Sequence, residues 1–182
     1  SAAVYLTAAD QNGLMVSYIQ SNYLGFGSGI VVPGTGISLQ NRAFGFNLKE
    51  GHPNQVGGAK RPFHTIIPAF LMKNSQPEMS FGMMAGPMQA QGHVQLMLRM
   101  FVYGQNPQTA VDGPRWQVLD GRNVAIEEDF SKDVLNQLEA RGHQLHRKPR
   151  QPFFGGAQLI YRMQNGYCGA SEPRKEGQAV GF

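Results

Sequence analysis

Apolar-rich runs at 4–9 and 14–21 predict a pair of strands at the head of the chain. Asp10-Gln11-Asn12-Gly13 joins them, and its Asn-Gly pair suits the positive-φ positions of a tight hairpin turn. Two adjacent strands would hold the residues ahead of them rigidly in the middle of a sheet. Between 25 and 37 the chain is dense in glycine, which predicts tight turns or close backbone approach to a partner or ligand. An apolar segment resumes over 37–46, and residues 47–62 are polar and turn-rich, as in a loop. A strand over 63–72 broken by Pro68, a turn at Asn74-Ser75-Gln76-Pro77 and a strand over 80–84 follow.

Helical spacing appears at 89–103, where Val94, Leu96, Met97, Met100 and Phe101 are the apolar positions and Gly104 is the stop. A short helix at 107–111 and short strands at 118 and 124–126 come next. A helix over 131–141 is capped by Ser131, buries Val134, Leu135 and Leu138, and ends at Gly142. The runs 158–164 and 166–170 form a last hairpin around Asn165-Gly166. Strands at both ends with helices between predict a layered α/β sandwich, not a doubly wound parallel sheet.

The 182 residues suffice for one sizeable core, so the chain 1–182 reads as one domain. Only 15% of residues are charged, which suits a chain that buries much of itself or covers another chain. The net charge is a mild +4, and the basic residues concentrate in 141–150. That run lacks interleaved aromatics and reads as a solvated basic loop, not a nucleic-acid patch. The single cysteine, Cys168, excludes an internal disulfide and a cysteine-cluster metal site, and reads as a buried structural thiol. No apolar run approaches the length of a membrane span. The glycines of 25–36 lack the Gly-Lys-Ser/Thr ending of a phosphate loop, so no nucleotide site is expected.

Two features carry candidate chemistry. The first is Ser1, which stands directly ahead of the opening strand. It is either a remnant or a nucleophile whose own α-amine acts as base, a role that suits an amine with a pKa of about 7.7–8.0. The second is Ala85-Gly86-Pro87, where a strand stops just before a helix. Such a turn leaves backbone N–H groups free to hold an anion.

Several blocks occur together in order along nearly the whole chain. They are the opening strand pair, Phe26-Gly27-Ser28-Gly29-Ile30-Val31, Gly36-Ile37 with Gln40-Asn41, Lys60-Arg61-Pro62 and Ala85-Gly86. Ala110-Val111-Asp112-Gly113-Pro114-Arg115 and Tyr167-Cys168-Gly169-Ala170-Ser171-Glu172-Pro173-Arg174 complete the set. In this the chain resembles the small subunit of the gamma-glutamyltransferase family. The resemblance implies an α+β fold, the four-layer αββα sandwich of N-terminal nucleophile hydrolases. It implies a self-cleaving precursor, a large subunit from that precursor as heterodimer partner, a small-molecule amide substrate, and no cofactor, nucleic acid or membrane span.

The same resemblance assigns positions. The family's nucleophilic Thr falls on Ala3, two residues after Ser1, so three readings stand open: Ser1 as nucleophile, Ala3 as a disabling replacement, or a naturally inactive relative. Ala85 and Gly86 fall on the oxyanion donors. Ser21 and Asn22 fall among substrate-binding positions. The Asp that holds the substrate's amino group falls on Gly45, the neighbouring Gln on Arg42, and the Ser-Ser pair that grips its carboxylate on His64-Thr65. Arg42 and His64 would favour an anionic or neutral acyl group, or else be a salt bridge within the dimer and a core histidine. A non-catalytic small subunit that binds a ligand or serves as scaffold is the alternative function.

Overall fold

The computed structural model describes residues 3–150 and 152–182. β1 (Val4–Ala9) and β2 (Met15–Gln20) form an antiparallel hairpin with Val4 opposite Gln20 and Ala9 opposite Met15. Its turn is not the Asn-Gly type expected. Gly13 alone of that pair takes a positive φ, and the Asp10 carboxylate accepts the N–H groups of Asn12 and Leu14 at 2.9 Å each. The hairpin also stands as its own two-stranded sheet, so among the described residues the head of β1 is at an edge, not mid-sheet.

The glycine-dense stretch folds into a small lobe in which β3 (Val31–Val32) pairs with β4 (Ile37–Ser38). A short 3₁₀ turn, Arg42–Gly45, follows where an apolar segment was expected. The strand predicted over 63–72 shortens to β5 (Ala69–Lys73). Residues ahead of Pro68 run as loop, because a proline has no N–H for the ladder. Asn74 and Ser75 both take positive φ in the two-residue turn to β6 (Gln76–Met84).

β6 organises the core. With β10 (Gly156–Met163) and β11 (Gly166–Ser171) it forms the four-stranded sheet β11-β10-β6-β5. Successive side chains of a strand face opposite ways. Met79, Phe81 and Met83 join the main apolar cluster with Leu96 and Met100 of α1 (Met88–Phe101). Ser80, Gly82 and Met84 face the β1–β2 hairpin, where Ser80 hydrogen-bonds Thr7 and Met84 packs on Tyr5 and Ile19. Two glycines permit these close approaches. A Cβ at Gly82 would lie 2.3 Å from the Tyr5 ring, and one at Gly92 of α1 would lie 1.9 Å from the Met83 sulfur. The result is helix, sheet and hairpin in three layers, with both faces of β6 buried.

α2 (Pro107–Asp112) begins under the Asn106 side chain, which accepts the Thr109 N–H at 2.9 Å. β7 (Trp116–Asp120), β8 (Asn123–Glu127) and β9 (Gln144–Lys148) form a second sheet, with α3 (Lys132–Ala140) as the crossover between parallel β8 and β9. The basic run is therefore part strand, not wholly loop. Val94 and Val134, expected inside, are 54% and 40% exposed, whereas Leu96 and Leu135 are buried. Cys168 is half-buried in β11, not fully enclosed.

Candidate active site

A small apolar cluster gathers the segments that carry the predicted site residues. Tyr5, Ile19 and Met84 form its buried centre, with Ala3 and Ile66 packed against them. Each of these sits within two residues of a candidate: Ile19 before Ser21, Ile66 after Thr65, Met84 before Ala85. Ala3 itself contributes only a methyl group to this packing. Ser1 lies outside the described residues.

The turn after β6 is built by backbone geometry. Gly86 takes φ +54°, a value glycine reaches without strain. The carbonyls of Ala85 and Gly86 accept the N–H groups of Met88 and Gln89 at 3.2 and 3.0 Å, which starts α1. Among the described residues the N–H groups of Ala85 and Gly86 meet no main-chain acceptor of their own. Two adjacent N–H groups so placed can hold an oxyanion. The buried Gln89 side chain accepts the Ile67 N–H at 3.0 Å and so ties the Thr65 segment to the same turn.

Tyr5 is the titratable group closest to the head of β1 in sequence. Its hydroxyl lies 2.7 Å from Ser17 Oγ, which in turn donates to the Phe81 carbonyl. Burial pushes the Tyr5 phenol up to about 12, against the pull of Ser17 and Thr7, so it stays protonated at neutral pH and is no base. His93 packs on Phe81, with burial holding it down to about 4, but Phe81 and its ring lie on the far face of β6.

A second group surrounds Arg42. This side chain is only 7% exposed, donates to Thr65 Oγ1 at 2.7 Å, and lies 4.4 Å over the Tyr23 ring. Burial pulls the guanidinium below its ordinary value and the neighbouring Tyr23 opposes that, yet a group that starts so high stays cationic at pH 7. Among the described residues no carboxylate pairs with it. Gly45 follows on the same 3₁₀ turn, and a Cβ there would stand 4.0 Å from the Tyr23 hydroxyl. Ser21 Oγ accepts the Tyr23 N–H at 2.8 Å, and the Asn22 carbonyl accepts the Asn41 N–H at 3.1 Å, so both shape this lobe through local bonds. His64 is exposed, not a core histidine.

Sequence reasoning missed Tyr23, Asn54 and Gln89. Asn54 donates to the Gly45 carbonyl and accepts the Phe63 N–H, both at 2.7 Å, and so clamps the Arg42 turn to the Thr65 segment. Its only signal was an Asn in a turn-rich loop. Sequence reasoning also gave no role to two of the ordered blocks. Arg115, at the end of the first, and Glu172 and Arg174, in the second, meet with Glu127 in a buried ionic network. Glu172 accepts from Arg115 at 2.7 Å, from Arg174 at 2.8 Å and from the Ala157 N–H at 2.8 Å. Glu127 accepts from the Arg174 Nε at 2.6 Å and the Arg115 N–H at 2.7 Å. Arg115 also donates to the Phe154 and Gly155 carbonyls at 3.2 Å, next to Gly156, which pairs with Met84. The network thus braces the strand ends that carry the Ala85–Gly86 turn. Burial pushes the Glu172 carboxyl up, but Arg115, the Ala157 N–H and Arg174 outweigh it and hold it below the usual range.

Comparison with known proteins identifies this architecture. The chain superposes on cephalosporin acylase from Bacillus halodurans with a TM-score of 0.92 and 48% identity, over 98% of this chain and 34% of that one. It superposes on gamma-glutamyltranspeptidase from Pseudomonas nitroreducens with a TM-score of 0.85 over 98% of each chain, at 21% identity, which bears on the fold alone. The fold is that of an N-terminal nucleophile hydrolase, the αββα sandwich in the α+β class, of which the described residues supply helix, sheet and hairpin.

The gamma-glutamyltranspeptidase family model matches residues 1–182, and the chain belongs to that family. Among curated relatives, the glutathione hydrolase-like YwrD proenzyme of Bacillus subtilis is 35% identical over all of this chain and 36% of its own length. The oxamate amidohydrolase proenzyme of Klebsiella pneumoniae is 36% identical over 98% of this chain and 35% of its own length. The chain spans about a third of the length of these relatives. Among the described residues there is no metal-binding group of three acidic, His or Cys side chains, and no helix long and apolar enough to cross a membrane.

Proposed function

We propose that the chain is the small subunit of an amidohydrolase or acyltransferase that works through an acyl-enzyme. A hydroxyl at the head of β1, that of Ser1, attacks the amide carbonyl. Its proton passes to the α-amine of the same residue and then to the departing amine. The N–H groups of Ala85 and Gly86 hold the oxyanion in both steps. Water or a second amine then takes the acyl group and frees the hydroxyl.

The observation that carries this reading is the shared packing of Ala3, Ile66 and Met84, which brings the head of β1, the Thr65 segment and the Ala85 turn to one place. Relatives called oxamate amidohydrolase and cephalosporin acylase support amide cleavage as the reaction class. That the relatives are proenzymes far longer than this chain supports a larger subunit cut from the same precursor. The outward face of the β1–β2 hairpin, where Val4 is 62% and Leu6 46% exposed, is the face such a subunit would cover.

The test is to purify the full-length precursor, expose the mature protein to a panel of activated amides and weigh the small chain. A covalent acyl adduct on Ser1 is expected. An unmodified chain during steady turnover would place the chemistry elsewhere. One observation favours a second reading, a scaffold without chemistry: Ala3, at the position of the family's Thr, offers only packing. In that case wild-type protein is inert and Ala3→Thr gains turnover.

A further inference from the structure

α1 packs beside β7, the edge strand of the second sheet, and three of its side chains meet the main chain there in order. Gln91 donates to the Val118 carbonyl at 3.1 Å and accepts the Val118 N–H at 2.8 Å. The buried Gln95 donates to the Trp116 carbonyl at 2.8 Å and accepts the Trp116 N–H at 3.1 Å. Arg99 donates to the Pro114 carbonyl at 2.7 Å. Residues four apart on a helix rise about 6 Å and residues two apart on a strand span about 6.8 Å, so the two spacings match rung for rung. Alternate residues of an edge strand turn their N–H and C=O groups outward, and Trp116 and Val118 are that set. The chemistry of each rung also matches. A glutamine amide offers one donor side and one acceptor side, as a neighbouring strand would, and it meets residues with both groups to satisfy. Proline has no N–H, and there the partner is arginine, which only donates. Gly113 admits the guanidinium, since a Cβ there would lie 2.4 Å from it. The first sheet repeats the device at the edge of β11, where Gln108 of α2 donates to the Ser171 carbonyl at 2.9 Å and accepts its N–H at 3.1 Å.

We propose that Gln91, Gln95 and Arg99 form a side-chain ladder that stands in for an edge strand and fixes how far α1 can slide along 114–118, which makes them positioning residues for the Ala85–Gly86 turn. The apolar face of α1 cannot set that position alone. Leu96 and Met100 pack there against Met79 and Met83, and methionine contacts adapt to small shifts. Paired amide bonds are directional and do not adapt. Gln91 lies in the first turn of α1, just past the Met88 and Gln89 N–H groups that bond the Ala85 and Gly86 carbonyls. A slip of α1 would therefore carry the turn and its N–H groups with it. The catalytic part of this rests on the amidohydrolase reading above; the ladder itself does not.

The experiment uses the mature two-chain protein from the full precursor. Gln91→Met and Gln95→Met keep the length of the side chain and remove both bonds of one rung. Hydrogen exchange over 114–118, read by mass spectrometry, and initial rates on an activated amide are measured on each, with the melting temperature as a check of folding. Each variant is expected to speed exchange of the amide at its own rung about 10-fold. Each should also lower kcat about 10-fold and leave KM within about 2-fold, because the oxyanion donors act on the transition state. Val94→Ala, on the exposed side of the same helix and outside the ladder, should change neither reading. If Gln95→Met does not fold, Gln91→Met carries the test, because its rung lies nearer the surface. Released exchange in a protein whose wild type turns over no amide would contradict the amidohydrolase reading and leave the ladder standing. Unchanged exchange at the rungs, exchange released with kcat unaltered, or a rise in KM in place of a fall in kcat would overturn the inference.

Discussion

Tyr5 shows how single residues set the site. Its ring packs against Gly82, its hydroxyl is tied to Ser17, and it sits two positions after Ala3, so it helps fix the head of β1. Gly82→Ala would push a methyl into ring atoms at 2.3 and 2.4 Å. The substitution should cost about 1–3 kcal/mol through overpacking and lower the melting temperature accordingly. An unchanged melting curve would mean that Tyr5 moves aside freely and is no anchor. At this scale the sequence said little. A glycine inside a strand and another inside a helix signal a close approach, but neither names the Tyr5 ring or the Met83 sulfur as what approaches. Arg42 was visible as an oddity of position; its burial without a counter-charge was not, because Tyr23 and Thr65 reach it from other segments.

At the scale of elements, the decisive piece is the ionic network linking α2, β8, β10 and the segment after β11. Its two arginines and two glutamates balance, so removing one member leaves a buried charge exposed to no solvent. Glu172→Gln should destabilise the protein by about 3–5 kcal/mol. A loss under 1 kcal/mol in denaturant titration would show that the network is dispensable. The carboxyl of Glu172 titrates below its unfolded value, so in acid the unfolded state takes up its proton first. Stability is therefore full above the ordinary glutamate range and falls as pH drops through that range and below it. Glu172→Gln should flatten the acid limb of a stability–pH curve, whereas an unaltered limb would assign it to other carboxylates. Several strands and helices were legible from local signals, because β1 alternates around buried Tyr5, Asn165-Gly166 turns β10 into β11, and Ser131 caps α3, of which Leu135 is the buried residue. β9 was missed because its basic residues are exposed, and the 63–68 loop was read as strand although its apolar residues divide, Ile66 packing on the Tyr5 cluster and Phe63 being 59% exposed.

Across the whole molecule, the exposed apolar side chains include the outer face of the β1–β2 hairpin, the lobe over 24–48, where Phe26 is 92%, Phe44 77% and Leu48 84% exposed, and the end of α1, where Val102 is 65% exposed. Exposure on this scale marks a surface built to be covered. The chain expressed alone should self-associate, as read by light scattering, while the full-length precursor should not. A monodisperse, stable chain by itself would contradict the expectation of a covering subunit. The four-layer architecture was legible through the ordered blocks, not through any one of them, and the described residues supply helix, sheet and hairpin of it. The proposed chemistry requires that the Ser1 hydroxyl ahead of β1 be freed by the protein's own cleavage and then carry the acyl group. The most direct measurement is the intact mass and first residue of the small chain that appears when the purified, untagged precursor is left without any protease. Spontaneous cleavage is expected, first order in precursor and with a rate constant independent of its concentration, leaving Ser1 as the first residue of the small chain. A precursor that stays whole, or that splits to leave no hydroxyl at that point, would contradict it.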